Sequence, residues 1–328
     1  MSRLLLLLGQ SLIGAAALGW SVWLHPATAW AQPDTIEFPV ERGAGPHDVA
    51  PAADGTVWYT GQGNGTLGRL YPESGEVRSV SLGSGAAPHG VIVGPDGAAW
   101  VTDGGRNAIL RVDPDTEQII SWPVHGRSSN LNTATFDRYG QLWFTGQNGV
   151  YGRLDPASGQ MDVWDAPRGP GAYGIDSTPS GEVYFASLAS SYLGHVNLET
   201  GQAEVLDPPT PGQGARRVWS DSSGRLWISE WDAGQLGMYD PATGSWREWR
   251  LPGASPRPYA VYVDDDDDVW LSDWGSNSLV RFTPATESWQ AFPIPTANGL
   301  VRQVLGRPGE IWAAESAQGK LLMIRTRQ

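Results

Sequence analysis

Along most of this chain apolar and polar residues alternate with a period of two, in short runs that end at Gly, Pro, Asp or Ser, and that pattern predicts β-strands joined by tight turns. Stretches such as LGRLYPESGEV, YGRLDPASGQM and LGMYDPATGSW each read as one strand running through a hairpin into the next. No segment places apolar residues at helical spacing. The pattern also repeats. A large aromatic residue follows a turn at Trp58, Trp100, Trp143, Tyr184, Trp227, Trp270 and Trp312, at intervals of 42, 43, 41, 43, 43 and 42 residues. A period of this length is that of a propeller blade. The turns before the markers, among them ADGTVW, PDGAAW and SSGRLW, supply the Asp-Gly and Ser-Gly pairs that tolerate positive φ in hairpins. Seven units of four short strands leave no room for helices, so the expected fold is an all-β, seven-bladed β-propeller. The marker rings are expected to fill the wedges between blades.

The ends predict how the ring closes. The last unit stops after its third strand, near Leu321 to Thr326, and Thr35-Ile36-Glu37-Phe38-Pro39-Val40 resembles the fourth strands of other units, such as Gln290 to Ile294. The N-terminal strand is therefore expected to complete the last blade and remove two open edges. Before it, Arg3, the apolar stretch from Leu4 to Trp23 and the small-x-small triplet Ala29-Trp30-Ala31 have the form of a secretory signal. Residues 1–31 are expected to be cleaved and 32–328 to form a single propeller domain, exported to a periplasm or the cell exterior.

Composition narrows the partners. A net charge of −13 leaves no basic stripe for nucleic acid or for an anionic membrane surface after cleavage of the signal. With Cys 0 there is no disulfide, thiolate nucleophile or thiolate metal site, so chemistry must come from oxygen and nitrogen side chains. The chain is expected to be a monomer, with a small molecule or cyclic peptide as ligand at its central channel.

Positions that are equivalent in every blade but differ in chemistry mark that channel. One ring, near the start of each innermost strand, holds His47, His89, Asn132, Tyr173, Arg216 and Tyr259, and a last turn one residue shorter adds Arg302. A second ring, three residues past each marker, holds Gly61, Asp103, Gly146, Ser187, Glu230, Asp273 and Glu315. Polar groups facing carboxylates could bind a hard divalent cation and hold a histidine as a base. Two readings of the histidines in GPHDV and APHGV stay open: a catalytic pair, or copies of one inherited motif, each satisfied by backbone or water. His125 and His195 fall outside the ring, His195 standing where other blades carry Arg69, Arg111 and Arg153. The acidic run Asp264 to Asp268 lies in a hairpin turn and reads as solvated loop.

Units such as RPYAVYVDDDDDVWLSDWGSNSLVRFTP and APHGVIVGPDGAAWVTDGGRNAILRVDP resemble the repeats of the virginiamycin B (streptogramin B) lyase family over essentially the whole mature chain. The resemblance implies a seven-bladed propeller, Mg²⁺ as cofactor, with Ca²⁺ as the other candidate, and opening of a cyclic depsipeptide by elimination across its ester. The family's histidines lie in the last two blades, where this chain has Tyr259 and Arg302, and its PH pair stands instead in the first two. Carried over in that rotated frame, His89 is the expected base and His47 the partner that orients the carbonyl or acts as acid. Asp103 and Glu315 are the expected metal ligands. Tyr173, Arg216, Tyr259 and Arg302, with Glu230 and Asp273, would line the substrate mouth. Two other classes stay open: a non-catalytic binding propeller, and a metal-dependent lactonase that would add water.

Overall fold

The computed structural model describes residues 35–326, all strands and turns, with no helix among them. The expected signal segment lies outside the described residues. Twenty-eight strands form seven antiparallel sheets of four. The first blade is typical: Pro46–Pro51, Val57–Gly61, Thr66–Tyr71 and Glu76–Ser81 pair in chain order. The seven first strands touch one another in turn and close back on the first, so they wall a central channel.

The last blade is built as the ends of the chain predict. Val301–Arg307, Glu310–Glu315 and Lys320–Arg325 are completed by Thr35–Pro39, in register from Thr35 opposite Ile324 to Pro39 opposite Lys320. Thr35–Pro39 thereby gains a hydrogen-bonded neighbour, and Lys320–Arg325, already paired with Glu310–Glu315, has its open edge covered.

Burial runs outward. Second strands such as Val57–Gly61 and Val269–Asp273 are buried at every position, whereas fourth strands such as Glu76–Ser81 alternate between half-buried and exposed. The marker aromatics are all buried, as wedges between sheets must be. A buried indole N–H needs an acceptor, and five markers find one in their own turn. Trp143, Trp227 and Trp270 donate to Asp137, Asp221 and Asp264 at 2.8, 2.9 and 2.8 Å, and Trp100 and Trp312 donate to Asp96 and Glu310. Asp264 of the acidic run therefore anchors its blade, a role that its neighbours' solvation hides in the sequence.

Candidate functional site

Every innermost strand carries a β-bulge. In the first blade Pro46 faces Gly61 and Val49 faces Tyr59, so the innermost strand holds one residue more than its partner. The same irregularity recurs in the other six blades. A bulge twists the strand and re-aims side chains, and here two consecutive residues per blade serve the channel. The first of each pair is the ring expected from the sequence. Register places Arg302 in it, because Val301 faces Glu315 as Pro258 faces Asp273. The second of each pair forms a ring that the period-two pattern conceals: Asp48, Gly90, Thr133, Gly174, Arg217, Ala260 and Gln303, around a cavity of about 30 Å³.

Hydroxyls on the second strands hold these bulges. Thr60 accepts from the Asp48 amide at 2.9 Å and donates to the His89 carbonyl of the next blade at 2.8 Å. Thr102 does the same between Gly90 and Asn132, and Ser229 between Arg217 and Tyr259. Each hydroxyl ties one blade's bulge to its neighbour's ring residue. Gly90 has a related duty: a Cβ there would lie 2.6 Å from the Asn132 carbonyl, so only glycine permits that approach.

The structure brings His47 and His89 together, with ring centroids 3.8 Å apart. His47 Nδ1 lies 2.7 Å from the Asp48 carboxylate, which also accepts from Arg217 across the channel at 3.1 Å. His89 Nε2 lies 3.3 Å from the Asn132 amide nitrogen, and its Nδ1 is buried without a partner. Burial holds both imidazoles well below their ordinary pKa; for His47 the guanidiniums of Arg217, Arg302 and Arg216 push the same way, and for His89 its neighbour His47 does. Both are neutral at physiological pH. Asp48 is raised by burial and drawn back by Arg217.

Across the channel the chemistry turns aromatic and cationic. The Tyr173 and Tyr259 hydroxyls meet at 2.5 Å, and Arg216 donates to Tyr173 at 3.1 Å while its guanidinium lies 3.6 Å from the Tyr259 ring centre. Trp231 and Trp274, which the sequence reading passed over, extend this wall. Trp274 stacks on Tyr259 at 4.9 Å, Trp231 lies edge-on to both, and Arg302 is 5.9 Å from the Trp274 ring. Their signal was the EW and DW that follow two markers in adjacent blades.

The carboxylates of the expected second ring do not face the histidines. Asp103 Oδ1 accepts the amides of Ala87, Gly105 and Arg106 at 2.9, 3.0 and 3.0 Å. Asp273 holds the amides of Arg257 and Gly275 and the Ser276 hydroxyl. Glu230 points outward along its blade, its carboxyl over Gly237 of the third strand, and burial with Glu248 nearby pushes it up to about 8. Glu315 is buried with its carboxyl against Gly299, in the loop before the last innermost strand, and burial and Glu37 push it up to about 7. The physical reason is common to all four. They end the second strand, where loop amides or the blade face, rather than the channel, claim the side chain. His195 stacks on Tyr184 at 4.4 Å on the outer part of its blade, away from the channel.

Mg²⁺ requires several oxygen ligands in near-octahedral array. Among the described residues the one group of three candidate ligands is His47, Asp48 and His89, in which two donors are nitrogens and the single carboxylate is already held by Arg217. Asp103 and Glu315 do not join it. These residues do not fit a magnesium ion.

The comparisons agree with the geometry at the level of the fold. The streptogramin B lyase structure superposes with a TM-score of 0.83 at 24% identity over 90% of this chain and 99% of that one. Virginiamycin B lyase from Staphylococcus aureus gives 0.82 at 21%, over 90% and 99%. A catalytically inactive His-to-Ala variant of that enzyme with quinupristin gives the same values. No curated protein sequence matches the chain. The model of the virginiamycin B lyase family matches residues 33–323, nearly all of the described propeller, and the chain belongs to that family.

Proposed function

We propose that the channel is the site of a lyase-type elimination on a cyclic ester or depsipeptide, with His89 as the base. The observation that carries this is the imidazole pair. Neutral His89 accepts a proton at its unpartnered Nδ1 when Nε2 carries the ring hydrogen, which requires the Asn132 amide to present its otherwise unpartnered oxygen to Nε2, and His47, fixed by Asp48, stands beside it to position a carbonyl or return a proton. In the reaction the carbon next to a carbonyl gives its proton to His89, and a C=C bond forms to the neighbouring carbon. The C–O bond of that second carbon breaks, and its electron pair leaves with the carboxylate. No water is consumed, and no step is assigned to a metal.

The test is incubation with a set of cyclic depsipeptides and lactones, followed by mass spectrometry. Ring opening at unchanged mass, lost in His89→Gln with the melting curve kept, is the expected result. A gain of one water would replace elimination with lactonase-type hydrolysis. A second reading, a non-catalytic binding propeller, is favoured by the burial of both histidines, 2% and 6% exposed. Saturable ligand binding with no change of mass in any substrate would establish it.

A further inference from the structure

In a chain of net charge −13, the charges of three guanidiniums, Arg216, Arg217 and Arg302, are felt at one buried histidine, His47. Arg217 is neutralised by Asp48. Arg216 and Arg302 form no ion pair with a carboxylate among the described residues, and the Nε of each is buried with no acceptor. They are also the half-buried members of a ring whose other side chains are buried, so a ligand entering from solvent meets them first. Both flank the same stacked pair: Arg216 lies on the Tyr259 face at 3.6 Å, Arg302 is 5.9 Å from the Trp274 ring, and those two rings stack at 4.9 Å. Aromatic faces hold a guanidinium plane in place and leave its N–H edge free. Apart from the Arg216 bond to the Tyr173 hydroxyl, these N–H edges have no acceptor among the described residues and form an incomplete arrangement, because a buried donor is costly until an acceptor fills it.

We propose that Arg216 and Arg302 form an anion site at the channel mouth that takes the carboxylate of an aromatic or apolar ligand. The planar, bidentate fork of arginine matches a carboxylate, and the rings of Tyr259, Trp231 and Trp274 supply the apolar wall beside it. The site rests on the channel being the ligand site, and it deepens the elimination reading: the carboxylate which that reaction releases is the anion it would hold. It also accounts for the poor fit of magnesium, since a region with two unpaired guanidiniums repels a cation.

Benzoate is the probe, measured by calorimetry and thermal shift on residues 32–328, against neutral benzamide and against sulfate at equal ionic strength. Benzoate is expected to bind saturably and raise the melting temperature by mass action, with benzamide and sulfate weaker by about tenfold or more. Arg216→Gln and Arg302→Gln should each lose that binding, whereas Arg247→Gln, on the outer edge of its blade, should keep it. The Arg302 side chain donates no hydrogen bond within the protein among the described residues, so its glutamine variant should melt normally without ligand and remains a valid test if Arg216→Gln fails to fold. Equal binding of sulfate, or benzoate binding that survives both glutamine changes, would overturn the proposal. The two readings fail separately. Benzoate binding without turnover of any cyclic ester removes the elimination and leaves this site, while turnover without benzoate binding removes this site and leaves the elimination.

Discussion

The second strand and the innermost strand of each blade lie side by side and are nearly equally buried, yet they differ in what they keep constant. The second strand repeats an aromatic ring and, two residues on, most often a hydroxyl, as in Trp58 with Thr60, Trp100 with Thr102 and Trp227 with Ser229. The innermost strand presents a different pair at each bulge: His47 and Asp48, His89 and Gly90, Arg216 and Arg217. Packing a wedge between sheets poses the same problem seven times and has one answer. A channel floor is shared by all blades at once, so each contributes a different part. Constancy in the repeat marks support, and variation at a constant position marks chemistry.

The change that should break this contrast most severely is Asp48→Ala. It removes the one carboxylate paired with Arg217 among the described residues and leaves that guanidinium, 5% exposed, without a counter-charge there. Deleting one partner of a buried pair costs about 3–5 kcal/mol. The loss should appear as a lower denaturant midpoint and be largely recovered in Asp48→Ala with Arg217→Met. If Asp48→Ala melts like the parent chain, the charged pair is not a structural element of the channel, and the contrast between supporting and channel positions weakens.

This pair also shows where sequence reasoning stopped. The blade count, the marker wedges and the closing N-terminal strand were legible because period-two alternation and a 42-residue repeat are local signals, visible without knowing any contact. The ring from His47 to Arg302 was legible for the same reason. Asp48, Arg217 and Gln303 were not, since strict alternation sends the residue after a channel residue to the other face, and only the bulge turns it back. The expectation for Asp103 and Glu315 had the opposite flaw. Equivalent places in the repeat do not fix a shared direction, because Asp103 is held by loop amides at its own end of the blade.

A smaller effect separates the two strands by pH. Glu230 ends a second strand, and burial followed by the charge of Glu248 pushes its carboxyl from an ordinary 4.5 up to about 8. The fold therefore favours the protonated acid, while the unfolded chain releases that proton near 4.5. Stability from this group is fully present below 4.5 and is lost as pH rises through about 8. Between pH 6 and 8 the loss is about 2 kcal/mol, and Glu230→Gln should remove that part of the slope. His47 and His89 on innermost strands work in the other direction, because burial lowers them and the fold favours the neutral ring. Their contribution is complete above the ordinary imidazole value and is lost as pH falls through their depressed values, so His89→Gln should flatten the acid limb alone. Parallel stability curves for the parent chain and both variants across pH 5 to 8 would contradict both assignments.

The smallest predicted effect is the most discriminating, because it concerns a second-strand residue that serves the channel. Thr102 accepts from the Gly90 amide at 2.9 Å and donates to the Asn132 carbonyl at 2.5 Å, and the Asn132 amide nitrogen lies 3.3 Å from His89 Nε2. Thr102→Val keeps the shape and removes the hydroxyl, leaving a buried N–H unpaired at a cost of about 1–2 kcal/mol. Thr102→Ser keeps the hydroxyl and should lose less. A packing role alone would show only in the melting temperature. A positioning role also predicts a shift of the His89 ring-nitrogen resonances in the valine variant and none in the serine variant, since the carbonyl that the hydroxyl holds belongs to the side chain's own residue. Unmoved resonances in Thr102→Val would confine the second strand to packing and leave the bulge as the sole determinant of where His89 stands.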